Sequence, residues 1–224
     1  DSLPAGLVGD VVDYRLWDRL GAVWLVTAQV EGAGDGYVLI VELHDVIYGQ
    51  AKERGRFRLP APSDDDFRMA VHRISDEVVR WATGDPGMAA TRIAFTMLDN
   101  DYNKDVYVID SDGENLRKVT NYRNLLLSPV WSPDAKKIAF NSMKSGDWRI
   151  YQLDLATGAE TQLPDVRGGG DYMTPAYHPD GQTLAFSVTG NARSGIFTYN
   201  VGRDCCLEFL TGGNHYDLSP SYSP

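Results

Sequence analysis

SPVWSPDAKKIAF, residues 128–140, returns as TPAYHPDGQTLAF at residues 174–186 and begins a third time as SPSYSP at residues 219–224. Pro129, Pro175 and Pro220 stand 46 and 45 residues apart. That spacing exceeds any helix or strand period and marks a repeated unit of supersecondary structure. In the unit that opens at Ser128, a first strand (128–132) meets a Pro133-Asp134-Ala135-Lys136 turn and a mostly apolar second strand (137–142). A polar loop (143–148) leads to a third strand (149–155) with period-two alternation; the hairpin Ala156-Thr157-Gly158 then opens a short outer strand (159–163). Four strands in about 40 to 50 residues is the pattern of a β-propeller blade. The next unit repeats it at 182–187, 196–201 and 206–210, and an earlier one shows its last three strands at 92–97, 105–110 and 116–120.

The chain ahead of the repeats follows different rules. Residues 13–20, DYRLWDRL, put Tyr14, Trp17 and Leu20 on one helical face, with Gly21 placed to end the helix. Two β-prone runs, 24–30 and 37–45, flank a glycine-rich turn and predict a hairpin; a third strand is expected at 52–59, where Arg54, Arg56 and Arg58 alternate with Gly55, Phe57 and Leu59. Phe67, Val71, Ile74, Val78 and Trp81 recur every three or four residues and give a helix to Thr83 an apolar side; Gly84 and Pro86 stop it. The expected fold class is α+β: a small N-terminal α/β sandwich domain at residues 1–84, a linker at 85–90, and propeller blades at 91–224.

A hydrophobic fraction of 43% with 11% aromatic residues, in a chain of 224, belongs to a folded globular protein. The net charge is −10 and the acidic excess is shared, with 15 acidic and 9 basic residues up to Ala90 and 16 and 12 after it. Nucleic-acid binding is thereby excluded, since it needs concentrated Lys and Arg to displace phosphate counterions. No apolar run approaches the roughly 18 residues of a membrane span, and DSLPAGLVGD lacks the basic start and long apolar core of a signal peptide. Cys205 and Cys206 are adjacent and are expected as two thiols at the start of an outer strand, because a bridge between neighbours is sterically awkward.

Catalytic signatures are missing. The chain has no G-x-S-x-G, HExxH, G-x-x-x-x-G-K or G-x-G-x-x-G. His44, His72, His178 and His215 are dispersed and expected to be structural or solvated. Asp99, Asp101, Asn103, Asp105 and Asp110 hint at a calcium loop, but Lys104 stands where such a loop needs Gly and the bidentate Glu is lacking. No catalytic residue, metal or cofactor is expected.

Trp131, Tyr177 and Tyr222 recur at equivalent positions of the first strand and are expected to pack between blades. The loops entering that strand, 122–127, 168–174 and 212–218, vary freely and lie on one face around the channel mouth. Their apolar and aromatic residues suit protein docking, which makes Leu125, Leu126, Asp171, Tyr172, Met173, Thr174, Tyr216, Asp217 and Leu218 the candidate partner contacts. The alternative is that these side chains fold inward and seal the loops.

The order of parts resembles the TolB family, the periplasmic component of the Tol-Pal system. The resemblance rests on DYRLWDRLGAVWLVTAQV (13–30), ATGDPG (82–87), TRIAF (91–95) and blades carrying SPVWSPD, KIAF and IYQLDLATGAETQL. It implies a six-bladed, WD40-like propeller of which two and a half to three blades stand here, hence a fragment or truncated product with an unpaired blade flank. It further implies a periplasmic scaffold that binds the peptidoglycan-associated lipoprotein, Pal, on the propeller and TolA through an N-terminal extension not evident in this chain. By motif position it lays Pal contacts on Asp171, Thr174 and Leu218, where the family's common residues are not kept. A second reading, a substrate-gating propeller of a serine peptidase of the prolyl oligopeptidase or tricorn type, requires a separate catalytic domain.

Overall fold

A computed structural model describes residues 7–8, 11–34, 36–99, 102–190, 193–212 and 215–223. Most of the first ten residues, and Asp101 of the acidic cluster, lie outside them. The chain is β-rich: its described residues hold sixteen strands, antiparallel wherever they form sheets, and two helices. It divides into two compact units, Asp1–Thr91 and Arg92–Pro224.

In the first unit, β1 (Leu7–Val8) pairs with β2 (Val11–Val12), and α1 (Tyr14–Arg19) starts at Asp13, whose carboxylate accepts the Leu16 N–H at 3.2 Å. A meander follows of β3 (Trp24–Ala33), β4 (Gly36–Asp45) and β5 (Gln50–Leu59), with β4 central. The central strand is buried on both faces, at Ile40, Val41, Leu43 and His44, while β5 alternates only over its last residues. Val41 and Leu59 are buried against Ile74 of α2 (Phe67–Thr83), with Phe57, Val78 and Trp81 around them. Gly84, at φ 86°, ends α2 in the left-handed region that a residue without Cβ enters at no steric cost. Beyond it, both oxygens of Asp76 accept backbone N–H groups, Ala89 at 2.7 Å and Ala90 at 2.8 Å.

The second unit holds three sheets. The first is β6 (Arg92–Leu98), β7 (Lys104–Asp110) and β8 (Arg117–Lys118). The second is β9 (Leu126–Trp131), β10 (Lys137–Ser142), β11 (Arg149–Asp154) and β12 (Glu160–Gln162); the third is β13 (Asp171–Tyr177), β14 (Thr183–Gly190), β15 (Arg193–Asn200) and β16 (Cys205–Thr211). Each pairs its strands in chain order, as propeller blades do. β10 explains the apolar run KIAFNS. Ile138 and Phe140 pack with Val106, Val108 and Leu126 on one side, while Ala139 packs with Leu184 and Phe186 on the other. A strand buried on both faces reads as continuous rather than alternating.

Candidate functional site

The entry to each inner strand is bent by one device. Ser128, Thr174 and Ser219 hold φ of 50°, 48° and 55°, and each precedes the repeat proline. Proline has no N–H to donate, so the ladder breaks there. In β9, Ser128 and Pro129 lie opposite the single Phe140, and in β13, Thr174 and Pro175 lie opposite Phe186. This is a β-bulge, one extra residue on one strand. Polar side chains tie it in place: Thr174 Oγ1 and Ser187 Oγ are 3.1 Å apart, Ser187 Oγ donates to Met173 O at 3.2 Å, and Ser219 N donates to Thr174 Oγ1 at 3.2 Å.

Because pairing resumes upstream of the bulge, the inner strands begin earlier than a proline-led reading expects. β9 starts at Leu126 and β13 at Asp171. Two candidate contacts are therefore corrected. Leu126 is fully buried in the core it shares with Phe140, and Tyr172 is fully buried against Phe186, ring centroids 5.4 Å apart. The Tyr172 hydroxyl accepts from Val166 N and donates to Pro164 O at 3.2 Å, and burial pushes it above the ordinary tyrosine value. Both side chains seal their loops and have no surface to offer a partner.

The other candidates remain at the rim. Leu125, Asp171, Tyr216 and Leu218 are exposed, whereas Met173, Thr174 and Asp217 are half-buried. Met173 Sδ accepts from Asn141 Nδ2 at 3.3 Å. Arg149 anchors the loop between them: it donates to Gly170 O at 2.9 Å, Trp148 O at 3.0 Å and Asp165 Oδ1 at 2.9 Å, with its guanidinium 5.0 Å from the Tyr172 ring centroid. Sequence reasoning missed this arginine, which sits in the polar loop-to-strand step with no motif around it.

At the opposite ends of the inner strands, the three recurring aromatics meet. Trp131, Tyr177 and Tyr222 line one groove with Pro133 and Pro179. Gln152 donates to the Tyr177 hydroxyl at 2.6 Å, and burial pushes that hydroxyl up to about 12. Tyr222 stands edge-on to His178 at 4.8 Å. Another polar cluster was not foreseen: Lys144 lies 4.3 Å from the Tyr122 ring and 4.0 Å from that of Tyr151, and is paired to Glu160. Burial pushes its ammonium below the ordinary lysine value.

The remaining polar candidates disperse. Asp99 accepts the Asn103 N–H at 2.9 Å, Asp105 pairs with Lys118 at 2.7 Å, and Asp110 pairs with Arg92 at 2.9 Å. His44 is buried between the Tyr14 hydroxyl, 2.9 Å from Nδ1, and the Thr27 hydroxyl, 3.0 Å from Nε2. Among the described residues, no three His, Cys, Asp or Glu side chains gather as metal ligands would. One expectation is overturned: Cys205 and Cys206 are joined by a disulfide. Neighbouring side chains of a regular strand point to opposite faces, but Cys206 takes a φ of 64° and leaves that geometry.

The model of the TolB beta propeller domain matches residues 79–224. The chain belongs to this family. Among its curated relatives, the Tol-Pal system protein TolB of Methylococcus capsulatus is 36% identical over 164 residues, covering 71% of this chain and 38% of the relative. That of Alkalilimnicola ehrlichii is 33% identical over 168 residues, covering 74% and 38%. The chain thus spans well under half the length of these relatives. The crystal structure of TolB from Acinetobacter baumannii superimposes with a TM-score of 0.81 at 28% identity, over 99% of this chain and 56% of that one. In this TolB-family chain, Ser128, Thr174 and Ser219 recur ahead of each repeat proline, whereas the residues upstream of them differ from blade to blade. Among the described residues, no helix is long and apolar enough to cross a membrane.

Proposed function

We propose that this TolB-family chain is part of a non-enzymatic periplasmic scaffold of the Tol-Pal system, and that the rim at the inner-strand entries docks Pal. The observation that carries this reading is the exposure of Leu125, Asp171, Tyr216 and Leu218 at equivalent entries. Apolar and aromatic anchors in the loops that enter the inner strands can supply affinity through surface complementarity alone. The curated relatives named above are Tol-Pal proteins, which favours the scaffold over a peptidase gate. Within that system the whole protein would also engage TolA through an N-terminal extension and keep the outer membrane coupled to the cell wall during constriction.

Isothermal titration of the chain with Pal from the same species tests the proposal. Binding at about 10 micromolar or tighter, some 7 kcal/mol, is expected. It should weaken in Leu218→Asp and Tyr216→Ala while the thermal midpoint stays unchanged. A folded chain that shows no heat with Pal at about 100 micromolar removes the rim from consideration.

A further inference from the structure

We propose that the open edge of β16, with the glycine-lined groove beside it, docks an extended, acidic peptide segment of a partner protein. The site borders the rim, since Gly168, Gly169 and Gly212 of its lining belong to two rim loops and Ser194 is bridged to Tyr216, but the inference does not depend on Pal. β16 is the outermost strand of its sheet and is seven residues long, where the matching strands β8 and β12 have two and three. An outermost strand offers unpaired N–H and C=O groups, and edges are ordinarily blunted by shortness, lysine, proline or bulges; β16 relies on bulges alone, with register shifts opposite Ile196/Phe197 and Thr198/Asn200. CCLEFLT has neither lysine nor proline, and one charge, Glu208.

An aromatic ladder leads to this edge. Phe186, Phe197 and Phe209 stack at 6.1 Å and 5.0 Å across β14, β15 and β16, passing from full burial to 61% exposure at Phe209. The last ring has a built seat. A Cβ at Gly195 would stand 2.7 Å from it and 2.5 Å from Thr211 O, and one at Gly212 would stand 2.0 Å from it. Without those side chains the ring lies down on the sheet and borders a groove of about 280 Å³. Ser194 lines the same groove, 4% exposed, and among the described residues its hydroxyl has no hydrogen-bond partner. A buried hydroxyl left unpaired costs stability, so a ligand that pairs it gains.

The charge pattern selects the occupant. Among the described residues that line the groove, Arg167 is the one charged side chain, in a chain of net charge −10. Asp165, two residues upstream, is held by Arg149. A peptide strand that pairs with β16, lays an apolar side chain on Phe209 and offers a carboxylate to Arg167 satisfies all three features; main-chain pairing supplies affinity and the pockets supply specificity. A second copy of this chain does not. Antiparallel pairing of two β16 strands about their centres sets Glu208 against Glu208, and like charges directly opposite are destabilising.

The test is selection of seven-residue peptides from a phage-displayed library on the immobilised full chain, followed by titration of the enriched peptides as synthetic probes. Enrichment of alternating apolar sequences with Asp or Glu is expected, with slowed amide exchange along β16 in the complex and at least about tenfold weaker binding to Phe209→Ala, as for an anchor residue. Arg167→Glu, on an exposed loop, should weaken the same peptides about tenfold and carries the test if Phe209→Ala proves unfolded. Failure to enrich such peptides, binding unaffected by both substitutions, or a concentration-dependent dimer lost in Phe209→Ala would each overturn the proposal.

Discussion

Ala135 and Gly181 occupy the same turn position in successive blades, and both hold positive φ, 55° and 69°. The turns are otherwise alike. Asp134 accepts the Lys136 N–H at 3.1 Å, and Asp180 accepts the Gln182 N–H at 2.7 Å. Left-handed backbone strains alanine and not glycine, so Ala135→Gly should stabilise the chain and Gly181→Ala destabilise it, each by about 1 kcal/mol. Urea midpoints of the two variants should move in opposite directions.

Leu125 and Leu126 are neighbours with different duties. Leu126 is fully buried beside Phe140, so Leu126→Ala should cost about 2–5 kcal/mol of stability. Leu125 is exposed, and Leu125→Ala should change stability by no more than about 0.5 kcal/mol. Equilibrium unfolding monitored by tryptophan fluorescence separates the two.

Arg149 joins four acceptors, Asp165 through Nε, the Trp148 and Gly170 carbonyls through one Nη and Asp147 through the other, and a single ammonium cannot span them. Arg149→Lys should therefore free part of the 164–170 loop at a cost of about 1–3 kcal/mol. Amide exchange in residues 165–170 should accelerate while exchange in β10 and β11 stays slow. Uniform acceleration across the blade would contradict the assigned role.

Asp134, Asp154 and Asp180 all titrate below the ordinary value of 3.8, chiefly through hydrogen bonds from the Ser132 hydroxyl, the Thr157 N–H and the Gln182 N–H respectively. The folded chain then binds fewer protons than the unfolded one over that window. Their stabilisation is complete above 3.8 and is lost as the pH falls through it towards the lower folded values. The thermal midpoint should be insensitive to these groups near neutrality and fall below about pH 4. Asp154→Asn, which cannot titrate, should shallow that fall.

Blade strands were legible because their side chains obey the sheet. KIAF, IYQLDL and the SPD and HPD turns carry burial and turn chemistry in consecutive residues, and they lie in β10, β11 and the β9–β10 and β13–β14 turns. The rim was legible only in part. Pro129 and Pro175 look like the first residues of strands, since proline cannot donate to a ladder. The chain instead passes each proline with one left-handed residue and pairs again beyond it, which takes Leu126 and Tyr172 inside. Arg149, Lys144 and the Cys205–Cys206 bridge depend on backbone geometry and on partners far along the chain, and no local pattern announces them.

The extra residue at each bulge also sets a parity. Tyr172 and Tyr177 are five positions apart, as are Leu126 and Trp131, and in an uninterrupted strand an odd interval places two side chains on opposite faces. Here both tyrosines belong to one core, and Leu126 and Trp131 to another. The bulge works as a half-step phase shift that brings both ends of the inner strand back to the same side. Strand length is therefore a matter of odd and even: loss of Ser128 or Thr174 would invert every side chain upstream of it, whereas loss of one residue from a loop changes only reach.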